Sequence, residues 1–399
     1  MSDFTLSDDQ NEAMRLLVEE LKDGNPLVTL GGYAGSGKST LIPHIALALG
    51  GLSTTAFVCY TGKAALVLRQ KLRAAGILEQ VGYVGTIHGL IYKLVKETKT
   101  GEMVWRKRDR LTLWDDSDSD DPEGFSFSPE SSIGRIIIDE VSMVGRKTLK
   151  DLQSFGVQIL AVGDPAQLPP VQDESVIMDP DVLLTQIHRQ AEGNPIIRIA
   201  TYVRENGTLP PNIKRTPYGE AEEIVARMKD TDPLNLAILT RSNKARVYFN
   251  KVIFGDVPMQ GHVVTCLKND WDKGVCNGQR GIVESVGAIS NQPWIPMMIN
   301  FRDENLRQYF PSVNVPQFGR EKRITQDVME KEFKFSTVGS VFDFGIALTV
   351  HKAQGSGFNT VLISPETWEW NRNEKAAWRC WLYTAVTRAT DNLHILPDW

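Results

Sequence analysis

The chain has 399 residues, enough for about two to four domains, and its 42% hydrophobic and 23% charged residues are the composition of a folded globular protein, not a disordered or fibrous one. A net charge of −5 does not announce a nucleic-acid binder, nor does it exclude one, because a groove can be locally basic on an acidic protein. Four cysteines, at 59, 266, 276 and 380, form no C-x-x-C pair, so neither a zinc site nor a disulfide framework is suggested.

Met1-Ser2-Asp3-Phe4 lacks the charged and apolar regions of a signal peptide. The longest apolar stretch, Leu41 to Tyr60, is broken by Pro43, Gly50-Gly51 and Ser53-Thr54-Thr55 and reads as helix, turn and strand, not as a membrane span. A cytoplasmic protein is expected. Residues 5–22 predict a helix: Ser7 is its N-cap, and Ala13, Leu16, Leu17 and Leu21 recur at helical spacing. Gln10 lies on its first turn, where an amide could meet an adenine edge with donor and acceptor together; taken alone it reads as a surface residue.

Gly32 to Ser39 fits G-x-x-x-x-G-K-[ST] without a mismatch. Leu27-Val28-Thr29-Leu30 before it predicts a buried strand, and Thr40 to Leu49 a helix with Pro43 in its first turn. Through Gly35, Ser36, Gly37 and Thr40 the backbone N–H groups can converge on phosphate oxygens at a helix N-terminus. Lys38 offers a point charge to the β- and γ-phosphates, and Ser39 a hydroxyl to Mg²⁺. The plain alternative is a glycine turn between a strand and a helix.

Ala56 to Tyr60 is a second predicted strand, followed by Thr61-Gly62-Lys63-Ala64-Ala65 and a helix through Leu72; the hydroxyl and N–H groups at that helix start could hold a phosphate. Gly85-Thr86-Ile87-His88-Gly89 starts another helix. Tyr92 to Arg110 then carries Lys93, Lys96, Lys99, Arg106, Lys107, Arg108 and Arg110 with Tyr92 and Trp105 interleaved, and turns near Lys99-Thr100-Gly101. Such a hairpin could grip or split nucleic acid, the alternative being a solvated hairpin. Asp115 to Asp121 reads as a solvated acidic loop.

Ile136-Ile137-Ile138 predicts a buried strand that delivers Asp139 and Glu140 to its carboxyl end, where ligands bind in open α/β sheets. Asp139 can hold Mg²⁺ through water, and Glu140 can orient or deprotonate an attacking water. Ile159 to Val162 is another strand, and Gln167 in the following loop could reach a γ-phosphate. Arg189, by itself, reads as a surface charge.

A second α/β unit starts near 187, with a strand at Leu236–Thr240 and a helix capped by Ser242 and running through Asn250. It is interrupted at 256–336 by short β-like pieces with an Asn277-Gly278 turn, a small inserted β-barrel. The chain returns through Phe344 to Gly357, a strand at Val361–Ile363, a helical Tyr383 to Ala389 and a last strand, Leu393 to Leu396.

This series resembles the superfamily 1 helicases, most of all the short 5′→3′ branch (1B) typified by the RecD proteins and the bacteriophage helicase Dda. The resemblance rests on Gln10, the loop at 32–39, Thr61-Gly62-Lys63-Ala64, Thr86-Ile87-His88, Asp139 to Met143, Gly163 to Pro170, His188-Arg189-Gln190, His351-Lys352-Ala353-Gln354-Gly355 and Tyr383 to Arg388. It implies two RecA-like P-loop NTPase domains, with ATP and Mg²⁺ as cofactors. The first would be 1–84 and 133–186, with a 1B insertion carrying a pin hairpin at 85–132. The second would be 187–255 and 337–399, with an SH3-like 2B barrel at 256–336. Gln10 would read adenine, and Arg189 and Arg388 would act as arginine fingers. Gln167 would couple phosphate state to strand grip. Thr61, Lys63, Thr86, His88, Trp105, Thr349, His351 and Lys352 would meet single-stranded DNA. Many relatives of opposite polarity carry Glu where this chain has Gly357.

The implied activity is ATP-driven 5′→3′ movement on single strands with duplex unwinding; the alternative is a translocase that displaces bound proteins without processive unwinding. The implied partners are single-stranded DNA, its junctions with duplex, and replication or recombination proteins, with the chain acting as a monomer in the cytoplasm, the host's if phage-encoded. A non-catalytic binding module is disfavoured by the intact Lys38, Asp139, Glu140, Arg189 and Arg388, and a small-molecule kinase by the second α/β unit.

Overall fold

The computed structural model describes residues 6–96, 103–111, 132–170, 173, 175–187, 193–270, 273–288, 292–302, 306–365 and 374–397, with the side chains of 94, 96 and 103–105 left out. The acidic run at 115–121, the hairpin turn at 99–101, Arg189 and the Trp105 side chain lie outside the described residues. The chain divides into two compact units, 1–197 and 198–399.

The first unit is built on a six-stranded sheet. Its strands are β1 (Leu27–Gly32), β2 (Thr55–Cys59), β3 (Tyr83–Thr86), β6 (Arg135–Ile138), β7 (Gln158–Gly163) and β8 (Val182–Leu184), in the order β3-β2-β6-β7-β1-β8 with every pair parallel. A parallel sheet is covered on both faces, so its strands read as continuous apolar runs. The alternation along each strand divides two cores. Phe57, Ile137, Leu160 and Val162 face one cluster with Leu17, Leu41 and Leu68, while Val58, Ile136, Ile138 and Ala161 face another with Ile87, Leu149 and Leu152.

Helices start where the side-chain chemistry predicts. Ser7 caps the helix Asp8–Lys22 with a full capping box, Gln10 being the reciprocal partner. The helix after the phosphate loop begins at Lys38, two residues earlier than the pattern predicts, because the loop N–H groups curl directly into its first turn. Pro43 therefore sits in the second turn, not the first, and denies the Ser39 carbonyl its usual i+4 donor. Strands β4 (Tyr92–Lys96) and β5 (Met103–Lys107) pair antiparallel as the expected hairpin.

The second unit holds two sheets. β9 (Leu236–Thr240), β15 (Ala347–Thr349), β16 (Phe358–Ile363) and β17 (Ala389–Ile395) form a parallel sheet in the order β15-β9-β16-β17. β10 (Val263–Cys266), β11 (Arg280–Val286), β12 (Trp294–Phe301), β13 (Leu306–Asn314) and β14 (Phe342–Phe344) form an antiparallel sheet in the order β13-β12-β11-β10-β14. A parallel bridge between Val313 and Ser340 joins the β13 edge to the segment entering β14, so this sheet curls on itself. The predicted return to the α/β layer at Phe344 divides in two. Phe342–Phe344 belongs to the antiparallel sheet, and only from Ala347 does the chain pair with β9. Ser242 caps the helix Asn243–Phe254 as predicted, which runs four residues beyond Asn250.

Candidate functional site

In the first unit, the five residues between β1 and the helix starting at Lys38 form the phosphate loop. Gly35 and Gly37 stand at φ 83° and 77°, the left-handed region that side-chain-bearing residues disfavour. A Cβ on Gly32 would lie 2.6 Å from Ser36 Oγ and 2.8 Å from Lys38 Cγ, so a side chain here would push those side chains out of the loop. The loop is closed by Ser36 N–H on the Tyr33 carbonyl (3.1 Å) and Thr40 N–H on that of Gly37 (3.0 Å). The Lys38 ammonium folds back over the loop, donating to the carbonyls of Gly32 and Tyr33, and stands 4.0 Å from Asp164 Oδ2. A phosphate oxygen is a stronger, charged acceptor than these carbonyls.

Gln10 is buried, at 1% exposure, not at the surface as its sequence context alone suggests. Its Oε1 accepts from Ser7 N–H (3.1 Å), and its Nε2 donates toward the Ser36 and Gly37 carbonyls (3.4 and 3.5 Å). The capping box thus ties the first helix to the phosphate loop.

Asp139 follows β6 and is buried. Its Oδ1 accepts the N–H of Glu140 (2.9 Å), and its Oδ2 lies 3.7 Å from Lys71 Nζ. Glu140 adopts φ 56°, ψ 42°, a left-handed conformation rare for a residue with a side chain. Beside this pair the Cys59 thiol is pushed well above its ordinary pKa by burial, with the negative charges of Asp139 and Glu140 adding to it, so it remains a protonated core group. Asp164 follows β7, the neighbour of β6, and its Oδ1 accepts from Ala166 N–H (2.9 Å). Gln167 is 7% exposed, and its Oε1 has no hydrogen-bond partner among the described residues.

Two further helix starts lie on adjacent strands of the same sheet. Thr61 caps the helix Gly62–Ala74 through Ala64 N–H (3.2 Å), and Thr86 caps Ile87–Ile91 through Gly89 N–H (3.0 Å). Lys63 lies on the first turn of the former. His88 is exposed between two rings, edge-on to Tyr60 at 5.9 Å and tilted on Tyr92 at 5.4 Å. Partial desolvation lowers its pKa.

In the second unit, Thr349 is buried at the start of the short helix Val350–Ala353, which carries His351 and Lys352. Burial lowers the pKa of His351. Lys352 keeps exposed surface, yet is pushed down to about 8 by desolvation and then by the charge of Arg246, with Arg323 adding to it and Asp343 opposing. Arg388 is buried and held by carbonyls of its own unit: Nε donates to Thr384 O and Nη1 to Ser356 O, both at 3.1 Å. Arg189 and the Trp105 side chain cannot be placed, as both lie outside the described residues.

Residues 5–216 match the family model described as AAA domain. The chain belongs to the AAA domain family. Residues 344–396 of this AAA-domain chain also match the UvrD-like helicase C-terminal domain. It is 27% identical over 307 residues to the ATP-dependent RecD2 DNA helicase of Deinococcus radiodurans, a match that takes in 68% of this chain and 37% of the relative. The chain thus spans little more than a third of that relative's length. Among solved structures it is similar to a Pif1 helicase studied at forked double-stranded DNA, at 20% identity and TM-score 0.57 over 98% of this chain and 92% of the other. A Bacteroides Pif1 in complex with ADP-AlF3 and single-stranded DNA follows at 18% identity and 0.54, over 98% and 92%, and Pif1 from Candida albicans at 16% and 0.52, over 98% and 94%. The fold is therefore that of two RecA-like domains, as in these Pif1 structures.

Lys71 has no place in any motif, yet its ammonium is the cation beside Asp139. Its position in the third turn of the helix Gly62–Ala74 gives no local signal of that. The left-handed backbone at Glu140 is likewise invisible in the letters Asp-Glu.

Proposed function

We propose that the chain is an ATP-dependent DNA helicase that moves 5′→3′ along single-stranded DNA and opens duplex ahead of it. The supporting observation is a shared sheet edge. Lys38, Asp139 and Asp164 gather beyond the carboxyl ends of β1, β6 and β7, while Thr61 and Thr86 cap helix starts at the carboxyl ends of β2 and β3. Phosphate chemistry and strand contact would then share one rigid sheet.

In this reading Gly35, Ser36, Gly37, Lys38, Ser39 and Thr40 hold the triphosphate and Gln10 meets the adenine. The donor set fits a magnesium ion: Ser39 and Asp139 would offer it hard oxygens, and the ion would neutralise phosphate charge. Among the described residues no three His, Cys, Asp or Glu side chains converge as a metal site of their own. Glu140 accepts the proton of the attacking water, Gln167 orients that water, and Arg189 and Arg388 stabilise charge developing on the γ-phosphate. Thr61, Lys63, Thr86, His88, Trp105, Thr349, His351 and Lys352 contact the strand through its backbone and bases, so binding is indifferent to sequence and falls steeply with salt. The stretch 85–132 serves as the pin-bearing insertion and 256–336 as an SH3-like one, within domains divided at 186/187. Both motif sets lie in one chain, so a monomer suffices, acting in the cytoplasm. No helix among the described residues is long and apolar enough to cross a membrane.

The test is strand displacement on duplexes with either a 5′ or a 3′ single-stranded tail, with Mg-ATP and excess trap strand. Unwinding from the 5′ tail alone is expected. Unwinding from the 3′ tail alone would overturn the polarity. No unwinding with DNA-stimulated hydrolysis retained would replace the helicase with a protein-displacing translocase.

A further inference from the structure

The base of the β4–β5 hairpin is fastened at both strands. On β4, the Tyr92 hydroxyl donates to Asp151 Oδ2 at 2.6 Å, across 59 residues, on the helix Arg146–Gln153. Opposite Tyr92 in register, Lys107 of β5 donates to Ser154 Oγ at 2.9 Å and lies over the Phe155 ring at 5.6 Å. Arg108 N–H closes the pair on the Ile91 carbonyl at 2.9 Å. Tyr92 and Phe155 pack against the core that contains Ile91, Leu149 and Leu152. The Tyr92 ring also meets His88, tilted at 5.4 Å, and His88 in turn meets Tyr60, which is 38% exposed.

We infer that Tyr92 is a positioning residue: it locks the hairpin base to Asp151 and supports His88, so that the hairpin and the strand-contacting helix start at Thr86–His88 move as one body. The inference rests on the helicase reading, since it assigns Tyr92 to coupling strand movement to duplex opening. A hydroxyl bonded to a carboxylate is a directional restraint, stronger than a neutral pair. The phenol is suited to the role because burial, the Asp151 hydrogen bond and the Asp151 charge together push its pKa up to about 12, so it remains a donor throughout the neutral range. Stacking alone would leave the hairpin free to pivot about β4. The second anchor, on Lys107, removes that freedom.

Tyr92→Phe keeps the ring and deletes the donor; Asp151→Ala deletes the acceptor at a helix position that favours alanine. Each variant, and the pair, would be compared with the wild type for unwinding of a forked duplex and for ATP hydrolysis stimulated by single-stranded oligothymidylate. Each single variant is expected to lose about tenfold in unwinding, the scale of one hydrogen bond to a charged group, with stimulated hydrolysis unchanged and the double variant no worse. Hydrolysis falling together with unwinding, or unwinding at the wild-type rate, would overturn the inference. Hydrogen exchange supplies a readout independent of unwinding. Tyr92→Phe should speed exchange both in the hairpin strands and at His88–Ile91; acceleration confined to one of the two would overturn the coupling. Failure of the wild type to unwind either fork would count against the helicase reading itself, while the exchange result still decides the link.

Discussion

Glu140 holds a left-handed conformation that costs a residue with a Cβ roughly 1–2 kcal/mol, and such strain persists where the surroundings over-determine it. Here the Glu140 N–H is fixed on Asp139 Oδ1, and its carbonyl accepts from Met143 N–H at 3.2 Å. The strained turn carries the chain sharply away from β6 and sets two consecutive carboxylates at one strand end. Two substitutions separate the roles of backbone and side chain. Glu140→Gln keeps the strain and removes the proposed base, so hydrolysis should fall by about 10²–10⁴-fold while ATP binding, followed by calorimetry, is retained. Glu140→Gly removes base and strain together. It should be equally inactive, but more stable than Glu140→Gln by about 0.5–1 kcal/mol in urea unfolding. Wild-type turnover in Glu140→Gln would remove the residue as base. A glycine variant less stable than the glutamine one would show that the conformation carries no strain.

The inserted antiparallel sheet and the parallel sheet of the second unit are not separable layers. One core cluster draws on Leu236 and Ile238 of β9, Phe249 of the helix Asn243–Phe254, and Val263, Val283, Ile299 and Phe344 of the inserted sheet. Buried polar side chains stitch the same seam. Arg280 of β11 donates to the Leu234 and Leu236 carbonyls at 2.9 and 2.8 Å, and Asn250 bonds Phe344 and Ala347. Arg246 pairs with Asp343 at 2.5 Å, both side chains being almost wholly buried. Removing one partner of such a pair leaves an uncompensated charge, whereas replacing both with apolar groups removes the desolvation cost as well. Asp343→Ala should therefore cost about 3–5 kcal/mol, and the double change Arg246→Met with Asp343→Leu distinctly less, by urea midpoint. A double variant as unstable as the single one would mean that geometry, not charge, holds the seam. This joint also marks the limit of what sequence conveys. The hydroxyl caps at Ser7, Thr61 and Ser242 and the apolar runs of β1, β6 and β9 are local signals and could be read directly. Strands β8 and β14, of three residues each, are defined by partners far along the chain, and Phe342–Phe344 reads equally well as part of either sheet. The burial of Gln10 depends on carbonyls 26 and 27 residues away, and the Tyr92–Asp151 bond spans 59, so neither leaves a local mark.

Each unit carries hydrophobic clusters of its own, so the whole molecule should unfold in two steps, and pH should separate them. The second unit contains a histidine poised for this. His262 lies against the Phe254 ring at 4.5 Å and edge-on to Phe344 at 5.9 Å, and its Nδ1 accepts the Met259 N–H at 3.1 Å. Protonation would forfeit that acceptor and place a second positive charge near Lys229 in a partly desolvated site. Burial, with the nearby Lys229 charge adding to it, accordingly lowers the pKa to about 4. A histidine depressed in the folded state binds its proton more readily when unfolded, so its contribution to stability is present above the unfolded value, near 6.5, and is lost as pH falls toward 4. Between pH 7 and pH 5 the loss should be about 1–2 kcal/mol. Seven of the nine tryptophans, at 271, 294, 368, 370, 378, 381 and 399, belong to this unit, so tryptophan emission during urea unfolding chiefly follows it. His351 and His394 of the same unit also have lowered pKa values, and the comparison that isolates His262 is with His262→Phe, which keeps the ring packing and cannot titrate. The variant should show a smaller shift of the tryptophan-detected midpoint between pH 7 and pH 5 than the wild type. An equal shift in both proteins would assign the acid sensitivity of the second unit to other groups and leave His262 as a packing residue alone.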